Sequence, residues 1–117
     1  YNWLQEDCAQ KKGAIVYFHE PWECIRADIG GKMFAMIGSN KEGEPIITLK
    51  STPADAEILR AAHEDIIPGY YMSKTHWNSI KLYGHISDEM IRTLITQSYE
   101  LVLSGLTKKV QAEIAGA

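Results

Sequence analysis

Cysteine is scarce: Cys8 and Cys24 are the only two in 117 residues. Two thiols cannot build a disulfide framework, and theirs is not the CxxC spacing of a zinc knuckle or redox motif, so both are expected as reduced, buried side chains. Long hydrophobic runs are missing too. No apolar run exceeds the five residues Met33 to Ile37, against the roughly 18 needed to cross a bilayer, and no transmembrane helix is expected. The N-terminus reaches Glu6 and Asp7 without the basic and apolar stretches of a secretory leader, which points to a cytoplasmic protein with no membrane partner.

The motifs of common catalysts are equally absent. There is no GxSxG elbow, no GxxxxGK[ST] loop and no GxGxxG fingerprint, so neither nucleophilic catalysis nor a phosphate loop is supported. Four histidines, His19, His63, His76 and His85, form no HxH or HxxxH pair. A metal site is not expected, and His63 is explained by its place near a helix end, where a cation complements the dipole. No cofactor and no enzymatic activity are expected.

What is present suits one packed domain spanning 1–117. Hydrophobic residues make up 45% and charged residues 23%, values of an ordinary globular chain that exclude disordered, collagen-like and coiled-coil classes. Twelve Lys and Arg against fifteen Asp and Glu give a charge of -3. The whole molecule should therefore be repelled by polyanions, and any nucleic-acid role needs a local basic face.

Local patterns outline the elements. Trp3, Leu4 and Cys8 share a helical face before Gly13, which marks a short opening helix over Asn2 to Lys11. From Trp22 the chain alternates, and Gly30-Gly31 supplies a two-residue turn into a strand over Lys32 to Ser39. The polar turn Asn40 to Glu44 leads to a third strand, Ile46 to Lys50, completing an antiparallel meander. Thr52-Pro53-Ala54-Asp55 reads as a capped helix start, with the helix reaching Glu64. Pro68-Gly69 breaks the chain, and Tyr70 to Tyr83 reads as one or two strands around a loop. Ser87 caps a longer helix whose apolar face includes Met90, Ile91, Leu94, Ile95, Tyr99 and Val102, ending at Gly105. A last helix begins at Thr107, with Val110 and Ile114 on one side, before a fraying tail from Ala115. Hairpin connections among helices define an α+β domain whose antiparallel sheet has helices packed on one face, leaving the other partly free for a partner.

One more absence carries the functional signal. Between Asp65 and Asp88 there is no acidic residue, yet the stretch holds Lys74, His76, Lys81 and His85 with Tyr70, Tyr71, Trp77 and Tyr83. Cations neutralise phosphates and aromatic rings stack on bases, a mixture that nucleic-acid surfaces use. The same residues also fit a strand whose rings pack the core while its lysines face water.

Gly31-Lys32-Met33-Phe34-Ala35 and Pro68-Gly69-Tyr70-Tyr71-Met72-Ser73-Lys74-Thr75-His76-Trp77-Asn78 resemble the signature segments of the MmcQ/YjbR family of small bacterial proteins. Cys8, Gly13-Ala14, Leu49-Lys50 before a Pro-led helix, Ser98-Tyr99 and Gly105-Leu106 also resemble that family, in order along nearly the whole chain. The resemblance implies a frataxin (CyaY)-like, double-wing α+β fold and a DNA-binding role. The family pattern usually runs Gly-Tyr-His-Met-Asn-Lys, a basic residue, then His-Trp-Asn. Here Tyr71, Ser73 and Thr75 depart from it, and Thr75 removes a positive charge.

Two readings follow. In one, Lys32, Lys50, Lys74 and Lys81 contact the DNA backbone, with hydrogen bonds from His76 and Asn78 and packing or stacking by Trp77. In the other, a monomeric interaction module uses the Tyr/Trp segment to meet a protein or small ligand, or simply to fill its core.

Overall fold

The computed structural model describes residues 2–69 and 72–116. Helix α1 (Asn2–Ala9) ends two residues before the expected Lys11, and Gly13, at φ 78°, serves instead in a following turn in which the Ala14 N–H donates to the Lys11 carbonyl. Strand β1 (Ile15–His19) and a 3-10 turn (Glu20–Trp22) precede β2 (Cys24–Ile29). Gly30 and Gly31, at φ 57° and 79°, make the tight turn into β3 (Lys32–Ser39). The turn before β4 (Pro45–Lys50) is held by Asn40, whose Oδ1 accepts from the backbone N–H of Glu42 and Glu44. Next come α2 (Pro53–Ala62), β5 (Ile66–Pro68), β6 (Trp77–Lys81), α3 (Asp88–Ser104) and α4 (Lys108–Ala115). Thr52, Ser87 and Thr107 cap α2, α3 and α4, each hydroxyl accepting a hydrogen bond from the N–H three residues on.

The sheet has six antiparallel strands in the order β1-β2-β3-β4-β6-β5. The expected three-strand meander therefore has a fourth member, β1, at its edge. Ile15 and Phe18 of β1 are 65% and 60% exposed, so its apolar residues do not mark an inward face and give no alternation to read. Strand β5 takes in Pro68, where a break and no strand were expected. It is three residues long and, among the described residues, pairs with β6 alone. The Tyr70–Tyr71 part of the expected strand-loop segment lies outside the described residues. Helix α4 stays helical through Ala115, where fraying was expected.

Leu4 and Cys8 of α1 and Ile91, Leu94, Ile95, Tyr99 and Val102 of α3 pack with Ala27, Phe34, Ile47, Leu49 and Ile80 of the sheet in one core. The helices thus gather on one face, as expected. The opposite face is less free than expected: Met36, Ile46, Thr48 and Ser79 are fully buried there. Met72, in the connection between β5 and β6, packs on Cys24, Met36 and Ile46, while the hydroxyls of Thr48 and Ser79 hydrogen-bond at 2.7 Å. No described helix is long and apolar enough to cross a membrane.

Candidate nucleic-acid interface

The register brings distant residues to one end of the sheet. Lys50, the last residue of β4, stands opposite Trp77, the first of β6, and Lys32 opens β3 nearby. Ser98 of α3 fixes this end: its hydroxyl accepts from the N–H of Lys50 at 2.8 Å and donates to the Phe34 carbonyl at 2.5 Å. A buried serine on an otherwise apolar helix face is explained by this bridge, since it satisfies two backbone groups of neighbouring strands.

Lys32, Lys50 and Trp77 then line a concavity of about 320 Å3 with Met33 and, from the end of α3 and beyond, Leu101, Val102, Gly105 and Leu106. None of its walls is acidic. Three other concavities among the described residues each carry a carboxylate: Asp55 and Glu100 in one, which Lys50 also lines, Glu44 and Asp65 in the second, Asp55 again in the third. Neither Lys32 nor Lys50 is ion-paired among the described residues. Their charge is available to an anion from outside the chain.

The connection before β6 adjoins this end. Residues Ser73 to His76 form a turn in which the Ser73 carbonyl accepts from the N–H of His76 and Trp77. The His76 carbonyl accepts from the N–H of Ser51, at 2.8 Å, tying the turn to the residue after Lys50. Lys74 and His76 are exposed on this turn. Lys108 and Lys109 follow closely on Leu106 in sequence and are exposed at the start of α4. They belong to a separate, Thr107-capped segment outside the acid-free stretch that carries the signal in the sequence.

Two of the expected contact residues are elsewhere engaged. Asn78 is only 3% exposed. Its Oδ1 accepts from the Arg60 guanidinium at 3.1 Å and its Nδ2 donates to the Ala56 carbonyl at 3.3 Å, which ties β6 to α2. The same guanidinium donates to the Lys74 carbonyl at 2.7 Å. Asn78 is an internal strut and does not present its amide to solvent. Lys81 lies four residues along β6 from Trp77, about 13 Å at the rise of a strand, and shares its concavity with Glu44, Asp65 and Tyr83. It does not join the basic end.

Other chemistry-bearing residues are held by the fold. Cys8 and Cys24 are free and buried. Burial, reinforced by Asp7, pushes the Cys8 thiol up to about 12, and burial raises Cys24 as well, so neither thiolate is present near neutral pH. On the outer face of β1 and β2, Asp28 accepts from the Tyr17 hydroxyl at 2.8 Å and from Arg26 at 3.3 Å. The Arg26 guanidinium lies over the rings of Tyr17 and Trp22, and His19 meets Trp22 edge to face. This cluster neutralises its own charges.

The architecture is that of a small α+β domain: one antiparallel sheet, helices on a single face, and a cationic concavity at one sheet end. The family model named YjbR matches residues 9–101, and the chain belongs to the YjbR family. It is 31% identical over 106 residues to protein YjbR of Escherichia coli K12, covering 91% of this chain and 89% of that protein. It is 41% identical over 86 residues to YbdF of Escherichia coli O157:H7, covering 74% and 70% of the two chains. Among solved structures, the crystal structure of Deinococcus radiodurans protein DR2400, with its DUF419 domain, superposes with a TM-score of 0.85 at 29% identity, covering 96% of this chain and 85% of that one. A crystal structure of a Pseudomonas syringae protein gives a TM-score of 0.71 at 25% identity, covering 86% and 96%.

Proposed function

We propose that the domain binds DNA through its phosphate backbone at the sheet end where Lys32, Lys50 and Trp77 meet, with Lys74 and His76 on the adjoining turn. The observation that carries this reading is the absence of any acid from a concavity bearing two unpaired lysines, in a chain whose net charge is -3. An acidic protein is otherwise repelled by a polyanion, so a local cationic site is the feature that backbone binding requires. Binding is stoichiometric and leaves the DNA chemically unchanged.

Salt dependence tests it. Each phosphate-neutralising lysine adds about 0.9 to the slope of log K against log salt. Replacing Lys32 and Lys50 together with Gln is expected to lower that slope by about 1.8 and to weaken binding to all sequences alike, whereas Lys81→Gln leaves it unchanged. Titrations of labelled duplex and single strand at low salt provide the measurement. Should the wild-type protein bind neither at micromolar concentration, the reading passes to an interaction module. The exposed Ile15 and Phe18 on edge strand β1 favour that second reading, because a bare apolar edge suits a protein partner.

A further inference from the structure

A surface that only follows phosphates needs cations and little else. The concavity at the basic end has more than that: Met33, Leu101 and Leu106 give it an apolar floor, and Trp77 lines it beside them. Its volume of about 320 Å3 lies at the lower end of the roughly 300–1,000 Å3 of small-molecule sites, room for one nucleotide and no more. Lys50 and Trp77 are cross-strand partners, so their Cβ atoms lie about 4.5–5.5 Å apart. The two side chains leave neighbouring strands side by side and both line the concavity, from a backbone that Ser98 holds in place.

We infer that this concavity takes a single unstacked nucleotide, its base against Trp77 and the apolar floor and its phosphate at Lys32 and Lys50. The preferred polymer is therefore single-stranded DNA. Duplex DNA must first unpair and unstack a base to fill such a site, whereas a single strand offers its bases without that cost. The inference rests on the nucleic-acid reading above and adds to it the state of the strand and the role of the ring.

Three labelled probes separate the two ideas at low salt: a thymidine decamer, an abasic decamer of the same length and charge, and the decamer paired with its complement. The thymidine decamer should bind at least about fivefold tighter than the abasic one, the lower bound for stacking one base, and tighter than the duplex. Trp77→Leu should abolish the difference between thymidine and abasic strands, and Trp77→Phe should keep most of it. Replacing Lys32 and Lys50 with Gln should weaken both strands by the same factor. Equal affinity of the wild-type protein for the thymidine and abasic decamers overturns the single-nucleotide site while leaving backbone binding intact, and a preference for duplex does the same. Binding of none of the three overturns both ideas. The wild-type comparison decides the matter even if a Trp77 variant fails to fold.

Discussion

The two ends of β6 are made of similar residues and behave differently. At one end Trp77 stands beside Lys50, and at the other Lys81 precedes Tyr83, so each end pairs a lysine with a large aromatic ring. The concavity at the Trp77 end meets Met33, Leu101 and Leu106 and no carboxylate, although Lys50 also borders the neighbouring concavity that holds Asp55 and Glu100. The Lys81 end meets Glu44 from the turn before β4 and Asp65 from the start of the β5 hairpin. Lysine and ring thus set no electrostatic character by themselves; the chain segments folded against them do.

Paired glycines offer the strongest way to break this comparison. A methyl group on Gly69 would lie 2.6 Å from the Trp77 Cβ and 2.8 Å from its carbonyl oxygen. Both are parts of a strand, and the Gly69 N–H donates to that same carbonyl at 2.7 Å. Nothing there can swing aside. Gly69→Ala is expected to cost about 1–3 kcal/mol. Gly84→Ala at the other end would collide with the Asp65 carboxyl, the free end of a side chain that can rotate away. The loss there is the hydrogen bond from the His85 N–H to Asp65, about 1 kcal/mol. Thermal or denaturant unfolding of the two variants should rank them in that order, and the reverse ranking would mean that the Trp77 end is the more yielding one.

The rings themselves give a smaller contrast. Trp77 is half-buried, so Trp77→Ala should cost about 2 kcal/mol, below the 3–5 kcal/mol typical of a fully buried Trp. Tyr83 is 78% exposed, and its replacement by Ala should cost less than half as much, in proportion to the area each ring removes from water. Urea melts of the two variants check this. Equal losses would show that Trp77 has no more packing than a surface ring.

The same contrast explains what the sequence could disclose. Thr52, Ser87 and Thr107 announced three helix starts, because a cap acts on the N–H only three residues away. Gly30-Gly31 announced the β2–β3 turn, since both residues take positive φ. These are local signals. Strand β5 was not legible, because three residues acquire strand character only by pairing with β6 ten to fourteen positions on. The candidate site was half legible for the same reason. The acid-free stretch between Asp65 and Asp88 is acid-free along the chain, but folding sets Asp65 and Glu44 beside Lys81. It also sets Lys32 and Lys50, from outside that stretch, beside Trp77. Asn78 misled in a different way. Its amide looks like a hydrogen-bonding contact in sequence, and only the approach of Arg60 and Ala56 from α2 shows that its bonds are already made.

The smallest expected effect sharpens the comparison by adding one charge at each end. Thr75 is exposed in the turn that is tied through His76 to Ser51, next to Lys50. Thr75→Lys puts a cation beside the acid-free concavity of Lys32, Lys50 and Trp77 and should raise the slope of log K against log salt by about 0.9, one further phosphate contact. Tyr83→Lys adds the same charge at the other end, where Glu44 and Asp65 line the same concavity and offset it within the Debye length of about 10 Å at 0.1 M salt. Its slope should match the wild type. Both variants carry the same net charge of -2, one unit above the -3 of the parent, so any general electrostatic gain is common to the pair. A rise in both slopes would assign the attraction to net charge and remove the distinction between the ends; a rise for Thr75→Lys alone ties it to the surface around Lys32, Lys50 and Trp77.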